Sequence, residues 1–347
     1  MSATSAAEAD EAYRRLVEPH RAELHAHCYR MLGSVHDAED ALQDALLRAW
    51  RGLSRFEGRS SVRTWLFKIA TNACLDASAR RPKRVSPFDL GGPVGPQDSP
   101  GEARGEPWIG PYPDEILGLE DGRATPEARY ERRESIELAF VVALQHLPPR
   151  QRAALMLREV LGFSAREVAE LLDTTVVSVN SALQRARSTL DEQLPEQSQQ
   201  ETLRSLGDAR VRELVTAYAD AMDRADLDSV LALLTDDATW SMPPMPGWYQ
   251  GLEAVTGFLV NYPLTVRWRH APAHANGGPA VGCYRFDDAR GTFVASVLDV
   301  LSLRDGKIAA VNAFVTSDAI EPGQDGGTYD TADLFGRFGL PLELPAG

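Results

Sequence analysis

The sequence predicts a multidomain chain in which two all-α units are followed by an α+β unit. Its 347 residues exceed the roughly 100–200 of one ordinary domain. Apolar residues recur at helical spacing on both sides of a stretch rich in proline and glycine, and alternating strand patterns begin only in the C-terminal third. The predicted divisions are a flexible N-terminus (1–12), a helical unit (13–84), a Pro/Gly-rich linker (85–124), a second helical unit (125–195), a short linker (196–207), an α+β unit (208–320) and a C-terminal tail (321–347).

Composition excludes several classes of protein. A hydrophobic content of 44% is enough for packed cores, so the chain is not disordered. Cys28, Cys74 and Cys283 lie far apart, without the paired spacing of a zinc site or a disulfide framework. No apolar run is long enough to cross a membrane, and the N-terminus lacks a signal-peptide pattern. We therefore expect a cytoplasmic protein with no metal, no cofactor and no membrane partner.

Charge is distributed unevenly along the chain. The net charge of −14 argues against nucleic-acid binding only if it is spread evenly. Between Arg48 and Arg84, however, ten basic residues stand against two acidic ones, Glu57 and Asp76. Because local charge decides attraction to phosphates, this segment predicts a nucleic-acid surface in the first helical unit.

The first helical unit contains no proline between Pro19 and Pro82. We expect Asp37 and Asp40 at the N-terminal cap and first turn of one of its helices. That helix carries an apolar stripe of Ala38, Ala41, Leu42, Ala45, Leu46, Ala49 and Trp50.

The predicted linker is unusual because part of it is apolar. Proline and glycine break regular structure throughout it. A pure spacer would not carry Trp108, Ile109, Tyr112, Ile116 and Leu117, so this part is expected to dock, either on its own chain or on a partner.

The second helical unit ends in a predicted helix-turn-helix. We expect a helix from Thr125 and Pro126, a cap followed by proline at the first helical position. Ser164 and Glu167 have the spacing of a capping box. After a turn at Asp173–Thr175, a last helix is predicted to bury Val176, Val179, Leu183, Ala186 and Leu190. Its other faces carry polar and basic groups suited to base edges and phosphates, namely Ser178, Asn180, Ser181, Gln184, Arg185 and Arg187.

The C-terminal unit begins with two predicted helices and continues with strands. Val211, Leu214, Val215, Tyr218 and Met222 trace the first helix, and the second lies near Asp228–Leu234. Alternating patterns predict strands at LTVRWRH, PAVGCYRF, GTFVASVLDVLSL and KIAAVNAFV, and the last two form a hairpin across Arg304-Asp305-Gly306.

Two of these segments together resemble a known family. DAEDALQDALLRAWRGLSRFEGRSSVRTWLFKIATNACLDASARRPKR resembles regions 2.2 to 2.4 of the extracytoplasmic-function (ECF) sigma factors of bacterial RNA polymerase. LPPRQRAALMLREVLGFSAREVAELLDTTVVSVNSALQRARSTL resembles region 4 of that family. The phrase WIGPYPDEIL is similar to an actinobacterial-type subgroup that carries an extra C-terminal domain.

The resemblance assigns roles to two surfaces of the first unit. It implies that Glu39, Asp40, Gln43 and Asp44 bind the clamp helices of core polymerase, although the same residues suit an ordinary solvated face. Melting of the minus-ten promoter element needs cations and pockets for an unstacked base. The matching residues are Phe56, Arg63, Trp65, Lys68, Asn72, Asp76, Arg80 and Arg81. Asn72 matches the pocket for a flipped base, whereas Trp65 and Phe56 also suit a core.

For the minus-thirty-five element, the resemblance places Asn180, Ser181 and Gln184 at base edges, within the set that also includes Ser178. It places Arg185 and Arg187 at phosphates. Gln184 stands where relatives carry an aromatic residue, so the preferred DNA sequence does not transfer.

The C-terminal unit resembles the SnoaL-like, ketosteroid-isomerase-like cone fold through AYADAMDRADLDSVLALLTDDATWSMPP and WYQGLEAVTGFL. Such a fold encloses an apolar pocket, which the aromatic and methionine side chains either line or fill. The candidate pocket residues are Tyr218, Trp240, Met242, Met245, Trp248, Tyr249, Phe258, Trp268, Asp299 and Phe314.

The comparison with the isomerase predicts binding without catalysis. Tyr218 and Asp299 match a hydrogen-bond-donating pair in which the carboxyl stays protonated. Alternation places Asp299 on one face with Phe293, Val297 and Leu301. Met242 stands at the general-base position and cannot accept a proton; His270 and His274 are alternatives that also suit structural roles. A carbonyl ligand is the class this donor pair would bind.

The sequence thus predicts an ECF-type sigma factor with a fused SnoaL-like regulatory domain, whose partners are core RNA polymerase and promoter DNA. The fused domain would act by docking on the chain or by binding a small apolar ligand, and the sign of its effect is open. The alternatives are a SnoaL-like enzyme or ligand sensor tethered to DNA, and an ordinary helix-turn-helix repressor. A repressor would not require the basic Arg48–Arg84 surface.

Overall fold

The computed structural model describes residues 11, 13–117, 133, 135–195, 197–320 and 329–346. The chain forms two compact units. The first comprises residues 1–84 and 116–194 and is here called the sigma unit, after the family that its sequence resembles. The second, here the C-terminal unit, comprises residues 85–115 and 195–347. Among the described residues no helix is both long and apolar enough to cross a membrane.

The N-terminal half of the sigma unit is built on three helices: α1 (Arg21–Leu32), α2 (Val35–Gly52) and α3 (Val62–Arg80). Gly33 adopts a left-handed conformation (φ 70°) that ends α1. The side chain of Ser34 then caps α2 by accepting from the amide of Asp37 (3.4 Å). The expectation that Asp37 caps this helix was therefore wrong, because the serine three residues earlier supplies the oxygen. Trp50, predicted within the buried stripe, is 41% exposed.

The other half of the sigma unit contains α4 (Leu138–Gln145), α5 (Pro149–Leu155), α6 (Ala165–Leu171) and α7 (Val176–Gln193). A π-helical turn at Met156–Val160 extends α5. The capping box of Ser164 and Glu167 is present at the start of α6. Helix α7 buries Val179, Leu183, Ala186 and Leu190, but Val176 is 41% exposed, contrary to the prediction. The expected helix start at Thr125 and Pro126 lies outside the described residues.

Buried polar contacts join the two halves of the sigma unit. The guanidinium of Arg152 donates to the carbonyl oxygen of Met31 and to Oε1 of Gln145 (2.6 Å). Gln145 Nε2 donates to the carbonyl oxygen of Arg30 (3.2 Å). Burial lowers the pKa of Arg152 to about 10. The guanidinium therefore stays charged at neutral pH, and its buried hydrogen bonds connect the two halves.

The C-terminal unit is a curved mixed sheet covered by helices. Its strands are β1 (Leu234–Ser241), β2 (Trp248–Gln250), β3 (Trp268–Ala275), β4 (Gly278–Asp287), β5 (Thr292–Arg304), β6 (Lys307–Val315) and β7 (Glu343–Leu344). The order is β2-β1-β6-β5-β4-β3, and β7 pairs with β5. β1 and β6 are parallel, and the other pairs are antiparallel. The helices are α8 (Gln199–Leu206), α9 (Asp208–Asp223), α10 (Leu227–Leu233), α11 (Gly251–Asn261) and α12 (Thr331–Arg337).

Several local expectations for this unit were wrong. Strands β1 and β2 were not predicted, and β3 begins at Trp268 because residues 263–265 form a short 3₁₀ turn. Residues 199–206, predicted within a linker, form helix α8, whose Gln199 side chain accepts from the amide of Leu303 (2.8 Å). A bulge between Ala295 and Val297 shifts the register of β5 against β4 and moves Phe293 to the face opposite Asp299.

The predicted linker docks on its own chain. Val85 pairs with Trp108 in an isolated bridge, and the amide of Tyr112 donates to Oδ1 of Asn276 (2.9 Å). Trp108, Ile109 and Tyr112 are buried. Of the two alternatives, docking on its own chain or on a partner, the structure shows docking on its own chain.

Candidate functional site

Helix α2 presents an exposed acidic face. Asp40, Gln43 and Asp44 are exposed and Glu39 is half-buried. Arg48 pairs with Asp44 (2.6 Å) and with Asp76 (2.9 Å), while Arg81 pairs with Asp40 (3.0 Å). Leu47 (49% exposed) lies on this helix too, and its exposure was not anticipated from the sequence. An acidic rim around exposed apolar side chains is suited to a protein partner.

Helix α3 carries the residues predicted to melt DNA. Asn72 and Asp76 are half-buried, while Arg80 and Arg81 are exposed. The rings of Phe56 and Trp65 lie 4.9 Å apart at 37°. Both rings are half-buried, and they form a tilted pair near the start of the helix. Together these side chains form a mixed basic and aromatic surface.

Two cations of that surface contact the helix-turn-helix half. Lys68 Nζ donates to Oδ1 of Asp173 (2.8 Å) and to the carbonyl oxygen of Glu170 (3.0 Å). Arg63 pairs with Glu23 (2.5 Å) and donates to the carbonyl oxygen of Leu161 (3.1 Å). Sequence reasoning assigned both cations to DNA and missed these contacts, which join residues about a hundred positions apart.

The apolar and the polar residues of helix α7 lie on different faces. Thr175 caps it by accepting from the amide of Ser178 (3.2 Å), and the left-handed Asp173 (φ 48°) forms the preceding turn. The exposed residues of the predicted set are Ser178, Asn180, Gln184, Arg185 and Arg187, and Ser181 is half-buried. Arg187 Nε donates to Oε1 of Glu159 (2.9 Å). The polar face is thus directed away from the core that its apolar residues form.

The C-terminal unit contains a partly open cavity of about 460 Å³ between the sheet and its covering helices. Of the predicted residues, Trp240, Met242, Met245, Phe258, Trp268 and Asp299 line it. Tyr218 lies behind the wall, bonded to Asp299. Trp248, Tyr249 and Phe314 are not wall residues, and Phe314 instead packs against Tyr329. Lining residues that were not predicted include Pro100, Met222, Tyr262, Arg285, Val297 and Ala313.

A buried hydrogen-bonded pair forms part of the cavity. The hydroxyl of Tyr218 donates to Oδ2 of Asp299 (2.8 Å), and both side chains are buried. Burial raises the pKa of Asp299, and the tyrosine hydrogen bond lowers it to a lesser extent. Burial likewise raises the pKa of Tyr218 well above its usual value. A raised pKa favours the protonated carboxyl, which is the form that is able to donate a hydrogen bond.

His270 forms a second polar pair at the cavity wall. Its Nδ1 lies 2.6 Å from Oδ1 of Asp223, and its side chain is 1% exposed. The two residues come from the end of α9 and from β3, so their spacing of 47 positions gave no signal in the sequence. Met242 occupies the wall at the general-base position of the isomerase comparison. Among the described residues no group of three or more His, Cys, Asp and Glu side chains is arranged to hold a metal ion.

Comparison with known proteins defines the class to which these surfaces belong. Family profiles match Sigma-70 region 2 over residues 16–84, Sigma-70 region 4 over residues 137–190 and a SnoaL-like domain over residues 215–311. The chain is 42% identical over 340 residues to the ECF RNA polymerase sigma factor SigG of Mycobacterium tuberculosis, covering 94% of this chain and 83% of that protein. The chain therefore belongs to the ECF sigma factors.

One further relative supports this class, and one solved structure supports the fold. The ECF RNA polymerase sigma factor SigM of Mycobacterium tuberculosis is 33% identical over 181 residues, or 52% of this chain and 75% of that protein. The crystal structure of the Mycobacterium tuberculosis ECF sigma factor SigJ superimposes with a TM-score of 0.56 at 23% identity, covering 87% of this chain and 96% of that one. The predictions of the family and of the fold class are confirmed. The chain is a bacterial sigma factor whose partners are core RNA polymerase and promoter DNA.

Proposed function

We propose that the two exposed surfaces of the sigma unit read the two promoter elements separately. The observation that carries this proposal is the exposed polar face of α7, which has an apolar face packed on its own domain. Asn180, Ser181 and Gln184 would contact base edges of the minus-thirty-five element, and Arg185 and Arg187 would contact phosphates. Asn72 would hold an unstacked base of the minus-ten element beside the paired rings of Phe56 and Trp65.

Transcription from a library of promoter variants tests these assignments. A lost base contact costs about 1–3 kcal/mol, so we expect a loss of about 5- to 150-fold at the affected positions. Asn72→Ala should change the preference only in the minus-ten element, and Asn180→Ala only in the minus-thirty-five element. Each variant is the control for the other, and identical profiles for both variants would contradict the proposal.

The acidic face of α2 is proposed to bind core polymerase through Glu39, Asp40, Gln43 and Asp44. It combines carboxylates with exposed Leu47, as expected where a charged rim surrounds apolar contacts. Charge reversal at Asp40 and Asp44 should weaken binding to core polymerase, which a pull-down with purified core polymerase measures. Reversal of the exposed Glu18, also in this domain, is the control.

For the C-terminal unit we propose regulation rather than catalysis. The cavity contains the buried pair of Tyr218 and Asp299, in which burial raises the pKa of the carboxyl, and Met242 stands where the isomerase comparison places the base that proton abstraction would need. This donor pair favours a small apolar ligand with a carbonyl group, bound so that Asp299 donates to the oxygen. The domain would then control the sigma unit in the bacterial cytoplasm, where core polymerase and promoter DNA are found.

A further inference from the structure

Residues 94–101, here called the strap, run beside strand β2 of the C-terminal unit, and one of them, Pro100, lines its cavity. The amide of Val94 donates to the carbonyl oxygen of Trp248 (2.8 Å), and the amide of Gly247 donates to the carbonyl oxygen of Pro100 (2.8 Å). Between them, the hydroxyl of Tyr249 donates to the carbonyl oxygen of Asp98 (2.8 Å). Three hydrogen bonds therefore fix the strap to strand β2 and the turn before it.

Two glycines make room for the strap. A Cβ atom on Gly257 would lie 2.0 Å from the carbonyl oxygen of Pro96, and one on Gly247 would lie 2.6 Å from that of Pro100. Neither glycine has a positive φ, so the backbone conformation does not require glycine at either position. Glycine is required because a Cβ atom would clash with the strap. Gly257 lies inside α11, where glycine costs about 1 kcal/mol relative to alanine. The close approach of the strap explains why a glycine stands in this helix despite that cost.

The groups that hold the strap also form the cavity. Pro100, a strap residue, is part of the cavity wall together with Phe258 and Met245. Phe258 stacks on Tyr249 with ring centroids 4.8 Å apart, and Tyr249 is the residue whose hydroxyl holds Asp98. A molecule that fills the cavity would therefore contact the strap at Pro100. It would also pack against Phe258, the ring that stacks on Tyr249.

We propose that the strap is a wall of the ligand site, and that docking of the strap and binding of an apolar carbonyl compound stabilise each other. The proposal rests on the proposed ligand-binding function of the cavity. Coupling between two binding events is reciprocal: if the docked strap adds contacts to the ligand, the ligand opposes release of the strap by the same free energy. Because the strap lies between residues 84 and 116, which belong to the sigma unit, the occupied cavity holds the chain segment that connects the two promoter-reading halves.

The test uses 6-propionyl-2-(dimethylamino)naphthalene, a fluorescent aromatic ketone whose emission reports the polarity of its surroundings. Its affinity for the full chain is measured by titration, and amide exchange is followed at Val94 and Gly247, the two donors that join strap and domain. In the wild-type chain, saturating ketone should slow exchange at both amides. Gly257→Ala should speed exchange at both amides and weaken ketone binding by about fivefold or more, the lower range of measured couplings.

The matched control is Gly336→Ala, since Gly336 is also helical but has nothing within 4 Å of its Cβ position. It should leave ketone affinity and both exchange rates unchanged. Wild-type affinity in Gly257→Ala, despite faster exchange at Val94, would overturn the strap as a wall. So would unchanged exchange at both amides when wild-type chain is saturated with ketone.

Failure of the underlying ligand site has a different signature. Ala313→Phe places a ring in the cavity from β6, and Ala313 takes part in none of the three hydrogen bonds that hold the strap. Ketone binding that persists at full affinity in this variant, or no saturable binding by the wild-type chain, would overturn the ligand site together with the strap proposal. Binding lost in Ala313→Phe and weakened in Gly257→Ala supports both.

Discussion

Burial decides how single titratable residues of this chain respond to pH, and His27 is the clearest case. It is fully buried between α1 and α3, where its Nε2 lies 3.0 Å from the hydroxyl of Thr71. Burial, followed by the nearby charges of Arg30 and Arg63, lowers its pKa from 6.5 to about 3. Below pH 6.5 the unfolded chain therefore binds a proton that the folded chain does not bind. Stability is present above pH 6.5 and is lost as pH falls toward 3.

The expected loss from His27 alone is about 1.4 kcal/mol between pH 7.5 and pH 5.5. Urea unfolding of the full chain, followed by the fluorescence change of the sigma unit at the two pH values, measures it. His27→Gln should remove this part of the pH dependence, whereas the same change at the exposed His36 should leave it intact. An unaltered slope in His27→Gln would show that another group causes the acid sensitivity.

The residues of the cavity show what the sequence could and could not reveal at this scale. Tyr218 and Asp299 were found because they match positions of a known fold, and the structure brings them to 2.8 Å. The pairing of His270 with Asp223 was not found, because each residue alone fits an ordinary structural role. Trp248 and Tyr249 were assigned to the cavity as aromatic side chains of the fold that the unit resembles, but the carbonyl oxygen of Trp248 and the hydroxyl of Tyr249 bond the strap instead.

At the scale of elements, prediction succeeded where the signals are local. The helix-turn-helix was readable because its caps, Ser164 with Glu167 and then Thr175, are contiguous with the helices that they begin. Strand β1 was missed because its sequence places two exposed aspartates in the middle of an apolar run, which is atypical of a strand. Docking of the strap could not be predicted from the sequence. Most of its contacts are made by backbone atoms, and it approaches closely at two glycines, so few side chains give a signal.

The cap of α7 gives a prediction at this scale. Thr175→Ala removes the oxygen that accepts from the amide of Ser178 and should destabilise the sigma unit by about 1 kcal/mol. Because the first turn carries Ser178 and lies beside Asn180, fraying should also weaken binding to the minus-thirty-five element. Thermal unfolding and binding to a duplex with that element measure the two effects.

Thr189→Ala in the same helix is the control, because its hydroxyl bonds the carbonyl oxygen of Arg185 within the helix and caps nothing. It should change neither quantity appreciably. A Thr175→Ala variant as stable as Thr189→Ala would show that the cap is not needed to fix the start of the recognition helix.

At the scale of the sigma unit, two cations that were predicted to contact DNA, Arg63 and Lys68, instead form contacts between the two helical halves. Lys68 holds Asp173 and the carbonyl oxygen of Glu170, and Asp173 lies in the turn that precedes the recognition helix. A lysine bonded in this way is not free to contact a phosphate. If α3 contacts the promoter as proposed, that binding would compete with packing of the turn against it, and weakening the contact should favour DNA.

Asp173→Asn tests this competition while preserving the turn, because asparagine tolerates the left-handed conformation at that position (φ 48°). The ion pair is exposed, so its loss is worth about 0.2–1 kcal/mol, which corresponds to a gain of about 1.4- to 5-fold in affinity for promoter DNA. Binding of the polymerase complex to a promoter fragment measures it. Asp191→Asn removes the same charge from α7 without touching Lys68. Equal gains in the two variants would mean that net charge alone is responsible, and the excess in Asp173→Asn measures the competition between domain packing and DNA.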